Sequence, residues 1–253
     1  KEKPVKETKS IKDSLVEGIK KTSKEKEPER NSVGEIISTG IDLLDEVLCG
    51  GLMWGRIINV VGDSSTGKTF LTLEMLAHIK KKLGKKVKII YDDCEGGFSF
   101  DVKSMYGSEI LSVPENPSTT VEDFSVKFKE ECDDLKDGNY LIYVVDSWDG
   151  LSSQAERKRD SKRQTALSSG KTFDEGTYSM EKQKFSSEFF RLRAGELVNQ
   201  KVMLFVISQV RDNIGVMFGE KHKRAGGKAL DFYAYACLWL SVCDKHLKKE
   251  RLV

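Results

Sequence analysis

Hydrophobic and polar positions along this chain alternate between two rhythms. Short apolar, β-branched runs occur at Ile57, Ile58, Val60 and Val61, at Lys86 to Tyr91, at Tyr140 to Val145, at Val202 to Ser208 and at Ala236 to Cys243. Runs of this length that are apolar at successive positions predict strands buried on both faces. Ile110 to Val113 predicts a further short strand. Between them the period changes. Leu71, Leu73, Met75, Leu76 and Ile79 predict a helix, Gly40 to Leu48 a short amphipathic one, Thr119 to Leu135 one with Val121, Phe124, Phe128 and Leu135 inward, and Phe185 to Leu197 another. Strands alternating with helices predict an α/β fold, a mostly parallel sheet covered on both faces. Gln154 to Gly176 and Gln209 to Gly227 are rich in charge or glycine, and both read as long loops.

The first 33 residues differ. Up to Arg30 they hold ten Lys/Arg and seven Asp/Glu. Ile11, Leu15 and Ile19 recur every four residues with Val16 beside them, a narrow apolar stripe on a polar helix of residues 8–24. A stripe so narrow makes no core of its own; it can dock on its own domain, dock on a neighbouring copy of the chain or fray in solution, and docking on a neighbouring copy is the favoured reading. Lys24 to Ser32 reads as a linker, so the expected division is 1–33 as a docking helix with linker and 34–253 as the globular core. A chain of 253 residues with 38% hydrophobic content has room for one sizeable domain. The net charge of +2 gives no strong global field. No signal peptide opens the chain and no apolar run reaches membrane-spanning length, so a cytoplasmic protein without a membrane partner is expected. The five cysteines never form a CxxC pair, which argues against zinc and a disulfide framework.

The strongest chemical signal follows the first strand. Gly62-Asp63-Ser64-Ser65-Thr66-Gly67-Lys68-Thr69, followed by Phe70 and the helix, is a phosphate loop in its proper strand-to-helix setting. Glycines let backbone N–H groups turn toward phosphate oxygens, and the helix N-terminus adds a positive dipole end. Lys68 suits the β- and γ-phosphates and the Thr69 hydroxyl suits Mg²⁺. Asp146 ends the apolar run YLIYVV; in a parallel sheet it comes to the ligand-binding edge, where a carboxylate serves the same Mg²⁺. Asp92, Asp93 and Glu95 follow another strand. One of them is expected to orient the water that attacks the γ-phosphate, and the pattern alone leaves the choice open. Gln209, at the end of VMLFVIS, can hydrogen-bond a γ-phosphate without adding negative charge.

Both loops are basic. Arg157, Lys158, Arg159, Lys162, Arg163 and Lys171 lie in the first, and Arg211, Lys221, His222, Lys223, Arg224 and Lys228 in the second. Two such clusters leaving adjacent strand ends favour contact with nucleic-acid backbones. His222 has no metal-ligating companion nearby and reads as a surface residue.

Taken together, several stretches resemble the RecA family of recombinases: Ile37 to Asp45, Gly62 to Thr69, Val144-Val145-Asp146-Ser147, Gln209-Val210-Arg211, Gly215-Val216-Met217-Phe218-Gly219, and Gly226-Gly227-Lys228 through Ala234. The resemblance covers roughly 34–243 in order, and generic phosphate-loop ATPases lack the last group. It implies a RecA-like ATPase core with a mostly parallel central sheet flanked by helices, preceded by a polymerisation helix carrying Ile11, Leu15 and Ile19. It implies ATP and Mg²⁺ as cofactors, single- and double-stranded DNA as partners, and self-association into a helical filament that exchanges strands in recombination and repair. Glu95 matches the catalytic carboxylate, and Gln209 the γ-phosphate sensor. Residues 154–176, with Arg157, Arg159, Lys162 and Arg163, correspond to the first DNA loop. Residues 210–227, with Arg211, Met217, Phe218, Gly219, Lys223, Arg224, Gly226 and Gly227, correspond to the second. Phe232 falls where the family packs a phenylalanine on the neighbouring protomer.

The first loop is longer and more basic than in bacterial RecA, closer to phage members. The chain ends inside what should be the rest of the core sheet. A truncated form lacking the C-terminal domain is therefore expected, and Lys245, Lys248 and Lys249 are not equated with the family's trans-acting lysines. The rival readings are a non-catalytic RecA-like ATP-binding regulator or assembly module, and a ring-forming nucleic-acid motor.

Overall fold

The computed structural model describes residues 34–170, 172, 181–212, 222–224 and 228–242. The five longer predicted strands form one sheet. Numbered along the chain, a small antiparallel pair β1 (Ile36–Ile37) and β2 (Leu52–Met53) precedes β3 (Arg56–Gly62), β4 (Val87–Asp93), β5 (Tyr140–Asp146), β6 (Val202–Asp212), β7 (His222–Arg224) and β8 (Ala236–Leu240). The order is β4-β5-β6-β3-β8, all parallel, with β7 antiparallel to β6.

Side chains on the central strands alternate between two cores, as the period of two requires. Ile58, Val60, Ile89, Tyr91, Ile142, Val144, Met203, Phe205 and Ile207 point to one face. Ile57, Ile90, Leu141, Tyr143, Val145, Val202, Leu204 and Val206 point to the other. Helix α2 (Lys68–Leu83) covers the first face with Leu73, Met75, Leu76 and Ile79, following the short α1 (Asp42–Val47). After α3 (Val102–Tyr106), helix α4 (Val121–Asp133) covers the second face together with α6 (Glu181–Leu197). Their seam is aromatic: Phe124, Phe128, Tyr143, Trp148 and Phe189 meet with ring centroids 5.4 to 6.1 Å apart. Phe124 and Phe128 stand on one α4 stripe, and the caps suit that helix, with the Thr120 hydroxyl accepting from Asp123 N and Glu122 and Asp123 in the first turn.

Three sequence readings are corrected. Gln154–Ser168 is a helix, α5, not a loop. None of its residues is buried, so no hydrophobic period marked it. Its start was written locally as a reciprocal capping box between Ser153 and Glu156. Ile110 to Val113 is no strand but a single bridge, Ser112 to Ile90, with hydrogen bonds of 2.9 Å in both directions. The second expected loop begins later than read, because β6 runs on to Asp212 and Arg211 and Lys223 pair across β6 and β7. The last helix is α7 (Ala229–Tyr233).

The register sets the site. Gly62 lies opposite Gln209 on one side and Leu240 on the other, and Asp93 lies opposite Asp146. The phosphate-loop glycine, both aspartates and the glutamine thus share the carboxyl edge of one sheet. From β3 the chain crosses to the far strand β4, and β8 later adds on the other side of β3. This is the reversal at which such sheets bind ligands.

Candidate nucleotide site

Between β3 and α2 the backbone turns through two left-handed positions, Ser65 at φ +60° and Gly67 at φ +89°. Gly67 is the N-cap of α2 and supplies no side-chain acceptor, so the leading N–H groups of a 16-residue helix are left for an anion. Lys68 Nζ donates to the Asp63 carbonyl at 2.8 Å and Thr66 Oγ1 donates to the same carbonyl at 2.9 Å, so lysine and loop close on each other. The loop borders a cleft of about 280 Å³ lined by Asp63, Ser64, Ser65, Lys68, Thr69, Glu95, Asp146 and Gln209 among the expected residues. Asp93, Gly97, Phe98, Phe100 and Ser147 complete the lining. Gly62 stands behind the loop, where a Cβ would fall 2.5 Å from Thr66 Oγ1 and 2.8 Å from the Leu240 carbonyl. Phe70 is half-exposed on α2 and is not among the lining residues.

The three acids after β4 take different places. Asp92 is fully buried in the sheet, where it accepts from Ser118 N at 2.8 Å and Tyr143 OH at 3.1 Å. Asp93 receives Gly97 N at 3.2 Å and Phe98 N at 2.8 Å, fixing the turn. Only Glu95 is linked across the cleft: its Oε1 accepts from Ser147 Oγ and from Gln209 Nε2, the latter at 2.7 Å.

Asp146 Oδ2 accepts from Thr69 Oγ1 at 3.0 Å and from the buried Tyr91 hydroxyl. Burial raises the Asp146 carboxyl above its ordinary pKa. The Tyr91 and Thr69 hydrogen bonds pull it back, and the nearby charges of Glu95 and Asp93 push it up again. Burial and the Asp146 charge likewise drive the Tyr91 hydroxyl upward, so it stays a donor.

These donors fit a phosphate chain escorted by a hard cation. Four carboxylates face one lysine, an excess that alone would repel a polyphosphate; a divalent ion offsets most of it. Thr69 and Asp146 already meet at one point. Among the described residues, no three or more His, Cys, Asp or Glu side chains form a metal cage. Mg²⁺ needs no such cage, because it draws most of its ligands from water and phosphate oxygens.

The expected DNA-facing residues are less uniform. Arg157, Lys162 and Arg163 are exposed on α5 and Arg159 is half-exposed. Arg157 donates from Nε to Ser152 Oγ at 3.0 Å, which holds its base against the helix start. Arg224 is turned inward, 5% exposed, with Nη2 on Asp231 Oδ1 at 2.6 Å and the guanidinium over the Trp239 ring. In this conformation it does not face solvent. Phe232 is 76% exposed on α7. Met217, Phe218, Gly219, Gly226, Gly227, Ile11, Leu15 and Ile19 lie outside the described residues. Sequence reasoning gave no role of their own to Ser147 and Tyr91, whose partners Glu95 and Asp146 reach them only when separate strands meet.

A doubly covered parallel sheet with this loop, this strand-end aspartate and this cleft defines a phosphate-loop nucleotide-binding core. The sequence profile described as RecA N-terminal domain matches residues 17–251, and the chain belongs to that family. Membership carries a recombinase and ATPase role in general, with ATP and Mg²⁺ as the ligands usual to the family. Among the described residues no helix is long and apolar enough to cross a membrane.

Proposed function

We infer that this chain is a DNA-dependent ATPase that assembles on single-stranded DNA and promotes homologous pairing and strand exchange. The observation that carries the reading is the linked pair Glu95 and Gln209. A carboxylate able to hold a water and an amide able to sense a phosphate are joined at 2.7 Å on the rim of the phosphate-loop cleft. Gln209 belongs to β6, which continues toward the segment expected to touch DNA and returns as β7.

In this reading Lys68 leaves the Asp63 carbonyl for the β- and γ-phosphate oxygens. The free N–H groups of the loop and of α2 receive the remaining charge. Thr69 and Asp146 hold Mg²⁺, which neutralises the phosphates when bound. Glu95 orients the attacking water and takes its proton, while Ser147 steadies the carboxylate. Gln209 exchanges Glu95 for the terminal phosphate, and β6 carries that exchange to the second loop. The exposed cations of α5 support a backbone contact with DNA, since each lysine or arginine on a phosphate releases a counterion. The exposed Phe232 supports a protomer contact.

The experiment pairs an ATP-analogue binding assay with single-stranded DNA binding, for wild type and Lys68→Ala. Tight DNA binding that requires the analogue, with both lost in the variant, is expected. Analogue binding without any effect on DNA affinity would move the assignment to a nucleotide-binding regulator.

A further inference from the structure

Strand β6 outruns its neighbour. Its pairing with β5 ends at Val145 and Val206, while on the other side pairing with β3 continues to Gly62 and Gln209. Beyond Val206 the ladder toward β5 has stopped, and a side chain takes up one backbone donor there. Asp149 Oδ2 accepts the Gln209 backbone N–H at 2.7 Å, the short distance of a charge-assisted bond.

That carboxylate stands on a fixed platform. It belongs to the 3-10 turn Trp148–Gly150, which leaves β5 two residues after Asp146. Trp148 is 1% exposed, packed against Phe124, Phe189 and Phe190, and its Nε1 donates to Ser186 Oγ at 3.3 Å. Lys182, at the start of α6, donates to the Asp149 carbonyl at 3.3 Å and also to the Leu151 carbonyl. One turn is therefore bonded to the helix that follows the first basic segment and to the strand that opens the second.

Gln209 is consequently held at two points, its backbone by Asp149 and its side-chain amide by Glu95. The side-chain contact lies in the cleft and is open to exchange with a ligand. The backbone contact is part-buried, and its carboxylate stands on the turn that the buried Trp148 anchors. We propose that Asp149 is a positioning residue that couples the nucleotide cleft to the second DNA segment: it fixes the Gln209 backbone so that the amide meets Glu95 and then the terminal phosphate. This rests on the reading of Gln209 as the phosphate sensor.

The bland alternative is a strand-end cap that serves stability alone. Two variants separate the cases. Asp149→Ala removes the acceptor, whereas Asp149→Asn keeps an acceptor oxygen in place without the charge. Amide hydrogen exchange across Gln209 reads the bond directly, and ATP hydrolysis with and without single-stranded DNA reads the coupling. Asp149→Ala is expected to speed exchange at Gln209 and to lower the DNA-stimulated kcat roughly tenfold or more, the loss of a hydrogen bond to a charged group. The KM for ATP should move less than about twofold, and Asp149→Asn should restore most of both readouts. Equal exchange and equal stimulation in wild type and Asp149→Ala would overturn the proposal. So would basal and stimulated rates that fall by one common factor, the signature of a merely structural role. A wild-type protein that ignores DNA would show before any variant is compared. It would overturn the functional reading, and the coupling role with it.

Discussion

Glu95→Gln tests the catalytic assignment most sharply, because the structure says what the substitution keeps. Glu95 Oε1 accepts from Ser147 Oγ and from Gln209 Nε2, and a glutamine oxygen can accept both. The cleft geometry is therefore retained, while the charge that would draw a proton from water is lost. Loss of a positioned general base costs about 10²–10⁴ in rate, which corresponds to about 2.7–5.5 kcal/mol in the barrier. Glu95→Ala should lose as much rate and in addition about 1–2 kcal/mol of stability, because Ser147, 1% exposed, loses its acceptor. The assay is single-turnover ATP hydrolysis beside the Kd for a non-hydrolysable analogue. The glutamine variant should bind within about threefold of wild type and hydrolyse at least a hundredfold more slowly. Hydrolysis within tenfold of wild type would refute the role of Glu95 as base.

Three further outcomes concern the scaffold. Burial would raise the Asp45 carboxyl, but hydrogen bonds from Ser38 Oγ at 2.6 Å, Thr39 N at 2.8 Å and Thr39 Oγ1 at 2.7 Å hold it below the usual value, with His78 adding a small pull. A depressed folded-state value means the stabilisation is complete above the unfolded pKa and is lost as pH falls through the folded one. Asp45→Asn should cost about 1 kcal/mol at pH 7 and flatten the acid limb of the stability curve, and identical acid unfolding in both proteins would contradict this. Trp148→Ala should cost about 3–5 kcal/mol in urea unfolding, and a loss under 1 kcal/mol would show that the aromatic seam is not load-carrying. Gly62→Ala should weaken analogue binding and lower stability by about 1–3 kcal/mol through overpacking, since the Leu240 carbonyl 2.8 Å from the new Cβ is backbone and cannot rotate away; unchanged binding and stability would refute it.

The parts legible in the sequence were those governed by local pattern. Continuous apolar runs such as Tyr140 to Val145 announce strands covered on both faces, and Gly62 to Thr69 carries its chemistry in one octet. Asp146 and Gln209 were found because strand ends in a parallel sheet share an edge. Helix α5 escaped because it buries nothing, although Ser153 and Glu156 signed its start. Asp92, Asp93 and Glu95 were indistinguishable in one dimension; strand direction and the turn after β4 sent one to the core, one to the backbone and one across the cleft. Tyr91 and Asp149 act on partners 55 and 60 residues away, a relation no local window contains. Arg224 reads as one more cation in a basic loop, but the return strand turns it inward against Asp231 and the Trp239 ring.

The central claim is that nucleotide hydrolysis in this cleft answers to DNA. The most direct test is the steady-state rate of ATP hydrolysis by the wild-type protein at fixed Mg²⁺, measured with and without single-stranded DNA. A low basal rate that rises tenfold or more with DNA, and loses that rise as salt screens the phosphate contacts, is the predicted result. A rate that is the same with and without DNA would contradict the account.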